Sequence, residues 1–129
     1  MNRSTGSSAA RGRVMVVGSL NVDRLWRVPR LPAAGETLHA TGMSVEFGGK
    51  GANQAVAIAR QGARCVFLGR VGADDFGRRL VAGMQAEGID CAHVVATPDA
   101  ATGVAMIIVD EKGENSIVVA SGANYRVTP

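Results

Sequence analysis

A chain of 129 residues, 47% hydrophobic and 19% charged, has the size and composition of one ordinary globular domain, which excludes a largely disordered protein. Its 14 basic and 11 acidic side chains give +3, but Arg3, Arg11 and Arg13 all fall in residues 1–13, where there is no acid. The remainder is neutral, and with one Trp and one Tyr the chain has neither a basic nucleic-acid face nor an aromatic platform for bases.

Residues 1–13 are polar and rich in Ser, Gly and Ala, and read as a disordered tail. They lack the apolar stretch of roughly 7–15 residues that marks a secretory signal. The longest uncharged apolar run, Val104 to Val109, is far too short to span a bilayer. The expectation is a cytoplasmic protein without a membrane partner.

Val14-Met15-Val16-Val17 reads as a fully buried strand ended by Gly18-Ser19. Asn21 to Val28 continues as a second strand, broken by Pro29 and Pro32, with a turn at Ala33-Ala34-Gly35. Residues 43–47 alternate, with Met43, Val45 and Phe47 on one face, and predict a half-buried strand. Ala52 to Gln61 reads as a helix whose stripe of Ala52, Ala55, Val56 and Ala59 can pack closely on a sheet, with Gly62 as its stop. Arg64 to Gly69 is the next strand. Asp74 or Asp75 caps a helix running to about Glu87, with Phe76, Leu80, Val81 and Met84 inward and Gly88 as terminator. Val94-Val95 is a short strand. Gly103–Asp110 and Asn115–Ala120 form a hairpin around Glu111-Lys112-Gly113-Glu114, whose two glutamates read as a solvated tip.

This order predicts an α/β fold, with a parallel sheet and helices. Residues 21–28, 37–47, 103–110 and 115–120 make a separate antiparallel layer. Thr128-Pro129 is a helix-start signal, so the domain is expected to continue beyond residue 129. Cys65 and Cys91, 26 positions apart without a CxxC or Cys/His cluster, offer no zinc site. Cys65 lies in an apolar run and reads as a buried, reduced thiol.

Two nucleotide fingerprints fail. Ahead of Gly49-Lys50, a Walker A loop would need Gly where Ser44 stands and Ser or Thr where Gly51 stands. Gly49-Lys50-Gly51-Ala52-Asn53-Gln54 lacks the third Gly of a dinucleotide fingerprint and follows the wrong kind of strand. What remains is a Gly-rich turn feeding a helix, with backbone N–H groups free at its start and room for close approach of a ligand. Lys50 and Asn53 put an ammonium and an amide at that rim. Asn21 and Asp23, two apart on an extended segment, point to one face, and a carboxylate can accept from two adjacent hydroxyls. Taken singly, Asn21 and Asp23 read as turn or edge-strand residues, Lys50 as a solvated lysine and Asn53 as a helix-start residue. His39 and His93 have no spaced partners and receive no role.

In combination these segments carry a resemblance. Gly18-Ser19-Leu20-Asn21-Val22-Asp23, Pro32-Ala33-Ala34-Gly35-Glu36-Thr37 and Phe47-Gly48-Gly49-Lys50-Gly51-Ala52-Asn53-Gln54-Ala55 occur in that order. Gly69-Arg70-Val71-Gly72, Asp74, Phe76-Gly77, Thr102-Gly103-Val104-Ala105 and Gly122-Ala123-Asn124 follow. From Val14 to Pro129 the chain resembles the N-terminal portion of ribokinases in the PfkB family of carbohydrate kinases. The resemblance implies a ribokinase-like domain at 14–129, a partial parallel sheet with helices plus a small antiparallel β lid from segments about 21–47 and 101–120. It implies that Asn21 and Asp23 bond ribose hydroxyls, that Gly49, Lys50 and Asn53 line the same pocket, and that the lid supports a homodimer. It further implies transfer of the ATP γ-phosphate to the sugar 5-hydroxyl with Mg²⁺, a catalytic Asp and a backbone anion hole. The Gly-Ala-Gly-Asp and Asn-x-x-Glu stretches that carry the last of these do not occur in the sequence, so no catalytic or metal-binding residue is assigned. The alternatives are a kinase for another sugar of the family, or a non-catalytic sugar-binding or dimerisation module.

Overall fold

The computed structural model describes residues 12–129. The expected tail lies almost wholly outside them, and Arg13 is already the first residue of a strand. Strands β1 (Arg13–Val17), β4 (Arg64–Gly72) and β5 (Asp90–Thr97) form a parallel sheet in the order β1-β4-β5. Helices α1 (Lys50–Arg60) and α2 (Asp75–Ala86) supply the crossovers, as parallel neighbours require.

The core lies between that sheet and the two helices. Val16, Cys65, Phe67 and Val71 meet Ala52 and Ala55 of α1 and Leu80 and Met84 of α2. Phe67 and Ala55 are fully buried, so the alanine stripe does what its small side chains allow and brings α1 close to the sheet. Both cysteines are buried and free, and burial pushes both thiols up. β4 runs three residues beyond the expected Gly69, because Arg70, Val71 and Gly72 pair with Val95, Ala96 and Thr97. Gly69 is no strand end: a Cβ there would stand 2.7 Å from the Phe67 ring and 3.0 Å from the Gly18 carbonyl.

The second sheet has the order β3-β2-β6-β7, with β2 Asn21–Arg27, β3 Gly42–Gly48, β6 Gly103–Val109 and β7 Asn115–Ala120. The two hairpin pairs are antiparallel, as expected, but β2 and β6 pair in parallel, with Asn21 beside Gly103 and Arg27 beside Val109. The layer is therefore mixed and not antiparallel. The core sheet's helices and strands intervene between β2 and β6, so no hairpin reverses the chain, and both strands leave the core in the same direction.

The apolar face of β3 also differs from expectation. Met43, Val45 and Phe47 are exposed, Met43 by 61%, because β3 is an edge strand whose apolar face no second layer of described residues covers. Nor is β1 the fully buried strand expected: only Val16 is buried, and Met15 and Val17, on the side away from it, are 56% and 61% exposed because no described element covers that face. Val127 to Pro129 follow a 3-10 turn, Gly122–Arg126, and belong to no element. Among the described residues no helix is long and apolar enough to cross a membrane.

A polar lock joins the two sheets. Asp74, the N-cap of α2, accepts the Gly77 N–H at 2.8 Å and the Thr102 hydroxyl at 2.6 Å on one oxygen, and the Thr102 N–H at 2.8 Å on the other. The Thr102 hydroxyl oxygen in turn accepts the Gly72 N–H at 2.9 Å. Burial pushes the Asp74 carboxyl up, but the bonds from Thr102 and Gly77 and the nearby Arg78 outweigh it and hold the group below its ordinary 3.8. A carboxylate depressed in the folded state stabilises above its unfolded value, and that contribution is lost as pH falls through the folded one. Asp74→Ala is expected to lower stability at pH 7 by about 1–2 kcal/mol in urea unfolding. The gap between variant and parent should shrink at pH 3, and a constant gap would refute this role.

Candidate functional site

The site is built where the core sheet hands the chain to the second sheet. The loop Gly18-Ser19-Leu20 leaves β1, held by the Gly18 N–H donating to the Leu68 carbonyl at 3.2 Å. The first turn of α1 lies against it. A Cβ on Gly51 would stand 2.7 Å from the Gly18 Cα and 2.9 Å from the Ser19 nitrogen, so only two glycines allow this contact. Gly49 takes φ +100 to enter the helix, a region that disfavours any side chain. Of the helix-start N–H groups, that of Ala52 is taken by the Ser19 carbonyl at 3.2 Å and that of Asn53 by Gly49 at 2.9 Å.

β2 carries Asn21 and Asp23 on one face. Across the parallel pairing, Asp23 is level with Ala105, and Ala105 with Val119 on β7. A cleft of about 610 Å³ opens between this face and the start of α1. All five residues expected from the sequence line it: Asn21, Asp23, Gly49, Lys50 and Asn53. Ala105, Ile107, Ile117 and Val119 form an apolar wall, and Ser121, Asn124 and Tyr125 close the other rim. The arrangement is a carboxylate, two amides and an ammonium beside an aliphatic surface, which suits a small polyhydroxylated molecule with one apolar face.

Asp23 is half-buried, and its carboxyl has no hydrogen-bond partner among the described residues. It lies over Gly48, where a Cβ would overlap its oxygens. Burial, and to a lesser degree Glu46 opposite it on β3, pushes this carboxyl above its ordinary 3.8. An acceptor that is partly stripped of water and left unpaired is poised to accept hydroxyl donors.

The sequence reading counted Gly122-Ala123-Asn124 among the segments that carry the resemblance but gave Asn124 no place in the site, where it touches Asn21. Its only local signal is an Asn after Gly122-Ala123, just past a strand end. His39 and His93 lie outside the cleft. A second cleft of about 630 Å³ lies between α1 and α2, lined by Phe47, Val56, Leu80 and Met84, with the Arg60–Glu87 ion pair at its edge. Its apolar lining offers little chemistry despite its equal size. No group of three His, Cys, Asp or Glu side chains able to hold a metal occurs among the described residues. Glu46→Gln is expected to lower the Asp23 titration midpoint, read by carboxyl NMR, yet leave it above the ordinary value, because burial is the larger cause. An unchanged midpoint would remove Glu46 from the account.

Residues 11–129 match the sequence pattern of the pfkB family carbohydrate kinases. The chain is 44% identical over 118 residues to the ribokinase of Haemophilus influenzae, covering 92% of this chain and 39% of that protein. It is 37% identical over 116 residues to the deoxyribokinase of Salmonella typhi, covering 90% and 38%. The solved structure of Arabidopsis thaliana ribokinase complexed with ribose and ATP superposes with a TM-score of 0.77 at 35% identity, covering 89% and 37%. The chain thus spans about two fifths of the length of the relatives it matches. By sequence and by fold, it belongs to the pfkB family of carbohydrate kinases.

Proposed function

We propose that this chain is the sugar-binding part of a ribokinase-type kinase, and that the cleft between β2 and α1 holds D-ribose. The observation that carries the reading is the convergence of Asn21, Asp23, Gly49, Lys50 and Asn53, drawn from β2 and the start of α1, on one cleft with an aliphatic wall. Asp23 accepts from sugar hydroxyls, and Asn21, Lys50 and Asn53 contact neighbouring oxygens. Ile107, Ile117 and Val119 cover the carbon face and exclude water. In the complete reaction ATP supplies the phosphoryl group to the 5-hydroxyl, and this chain's part is to hold the acceptor sugar in place. The structure of an Arabidopsis relative complexed with ribose and ATP supports that choice of substrates. The likeness to a deoxyribokinase keeps a 2-deoxy pentose as the second sugar to test.

No Mg²⁺ ligand is assigned to the described residues, which hold no group of three His, Cys, Asp or Glu side chains. A second reading is a sugar-binding or dimerising module without chemistry. The second sheet exposes Met43, Val45, Met106 and Val118 on the face away from the cleft, a surface that fits self-association through the lid in a cytoplasmic homodimer.

Calorimetric titration with D-ribose is expected to give binding that Asp23→Ala weakens at least about tenfold, the loss of one charged hydrogen-bond acceptor. An affinity within twofold of the parent would sink the pocket assignment. The 129-residue chain is expected not to turn over ATP with ribose, and ribose-dependent ADP release from the purified chain would overturn that. Reading the coding frame beyond codon 129 separates the two readings: a downstream Gly-Ala-Gly-Asp favours the kinase, an immediate stop the module.

A further inference from the structure

Asn124 lies in the 3-10 turn Gly122–Arg126, 104 positions from Leu20. That turn is anchored by the Ala123 N–H donating to the Ala101 carbonyl at 2.8 Å, with the Ala123 side chain fully buried. The Asn124 carboxamide grips the Leu20 backbone at two points. Its Oδ1 accepts the Leu20 N–H at 2.9 Å, and its Nδ2 donates to the Leu20 carbonyl at 3.0 Å. A backbone N–H can only donate and a carbonyl can only accept, so these two bonds fix which end of the amide is which. The second Nδ2 proton points at the Asn21 side chain, 2.9 Å away. An amide nitrogen has no acceptor to offer, so the Asn21 atom that meets it is the oxygen.

We propose that Asn124 is a positioning residue that sets the polarity of the cleft by holding Asn21 with its oxygen inward and its NH₂ toward the ligand. This deepens, and rests on, the sugar-binding reading. Asn21 then presents only donors, and ionised Asp23, two residues along the same strand, presents only acceptors. A pair of neighbouring hydroxyls is read in one direction: one oxygen accepts from Asn21 while the other hydroxyl donates to Asp23. A third element leaves room for the arrangement. Gly103 sits beside Asn21 across the β2–β6 pairing, and a Cβ there would overlap both Asn124 Nδ2 and Asn21 Oδ1.

The orientation is tested without sugar on the isotopically labelled 129-residue chain. The Gly103 Hα protons should show nuclear Overhauser contacts to the Asn124 side-chain NH₂ and none to that of Asn21. A strong Gly103 Hα contact to the Asn21 NH₂ would overturn the proposal. D-Ribose titration then tests the consequence. Asn124→Asp removes the donor that holds Asn21, and Asn21→Asp keeps the grip on Leu20 while removing the donor into the cleft. The second variant stands if the first fails to fold. Each should raise the Kd for D-ribose by about tenfold, the scale of one hydrogen bond. In an Asn21→Ala background, Asn124→Asp should change the Kd less than twofold. An equal loss in both backgrounds would make Asn124 a folding residue and overturn its positioning role. If the parent chain binds no D-ribose, the sugar reading fails, and the Overhauser pattern alone decides the orientation.

Discussion

The start of α1 rests on the loop that joins the core sheet to the second sheet, with Gly51 over Gly18 and the Ala52 N–H on the Ser19 carbonyl. Any side chain at either glycine would force the two backbones apart. That contact sets the distance between the Gly-rich turn and β2, and hence the width of the cleft. Lys50 and Asn53 reach the site from the helix, while Asn21 and Asp23 reach it from the strand that the same loop feeds. Core packing carries the arrangement: the buried Leu20 and Ala55, on the two sides of the contact, belong to one apolar cluster. The site is thus an extension of the core.

Much of this was legible in the sequence because it is written locally. The apolar run at 14–17, the alanine stripe of α1, the Asp74 cap and the hairpin at 103–120 each depend on residues a few positions apart. The five cleft residues fall in two short segments, so spacing alone put them on one face or one rim. What stayed hidden is long-range. The Asn124–Leu20 bonds span 104 positions, and no local pattern distinguishes that Asn from one in an ordinary turn. The parallel β2–β6 pairing depends on how a whole intervening unit folds back. Gly69 looked like a terminator because a glycine required by close packing reads the same as one required by a turn.

Asp23 shows how recognition and stability oppose each other here. A half-buried carboxylate without a partner, facing Glu46, disfavours its own ionised form. The fold elsewhere leaves few such groups: no fully buried side-chain polar atom among the described residues lacks a hydrogen bond. The cost is concentrated at a residue that lines the cleft, where hydroxyl donors would relieve it. The Asp74–Thr102 lock works in the opposite sense, since its carboxylate accepts three donors that hold the ionised form.

The parallel β2–β6 pairing has a mechanical consequence. Both strands enter the second sheet from the same side, at Asn21 and Gly103, and each root is clamped, one by Asn124 on Leu20 and the other by Asp74 on Thr102. Two adjacent clamps fix the roots side by side, so the second sheet is tied to the core along one edge. Seven residues of strand extend about 20 Å from that edge, so a rotation of roughly 10° about it would carry the far end some 3–4 Å. Asn21 sits at that edge, and Ile107 and Ile117 sit further out along the strands. Any rotation about that edge would shift the aliphatic wall relative to the cleft and leave Asn21 where it is.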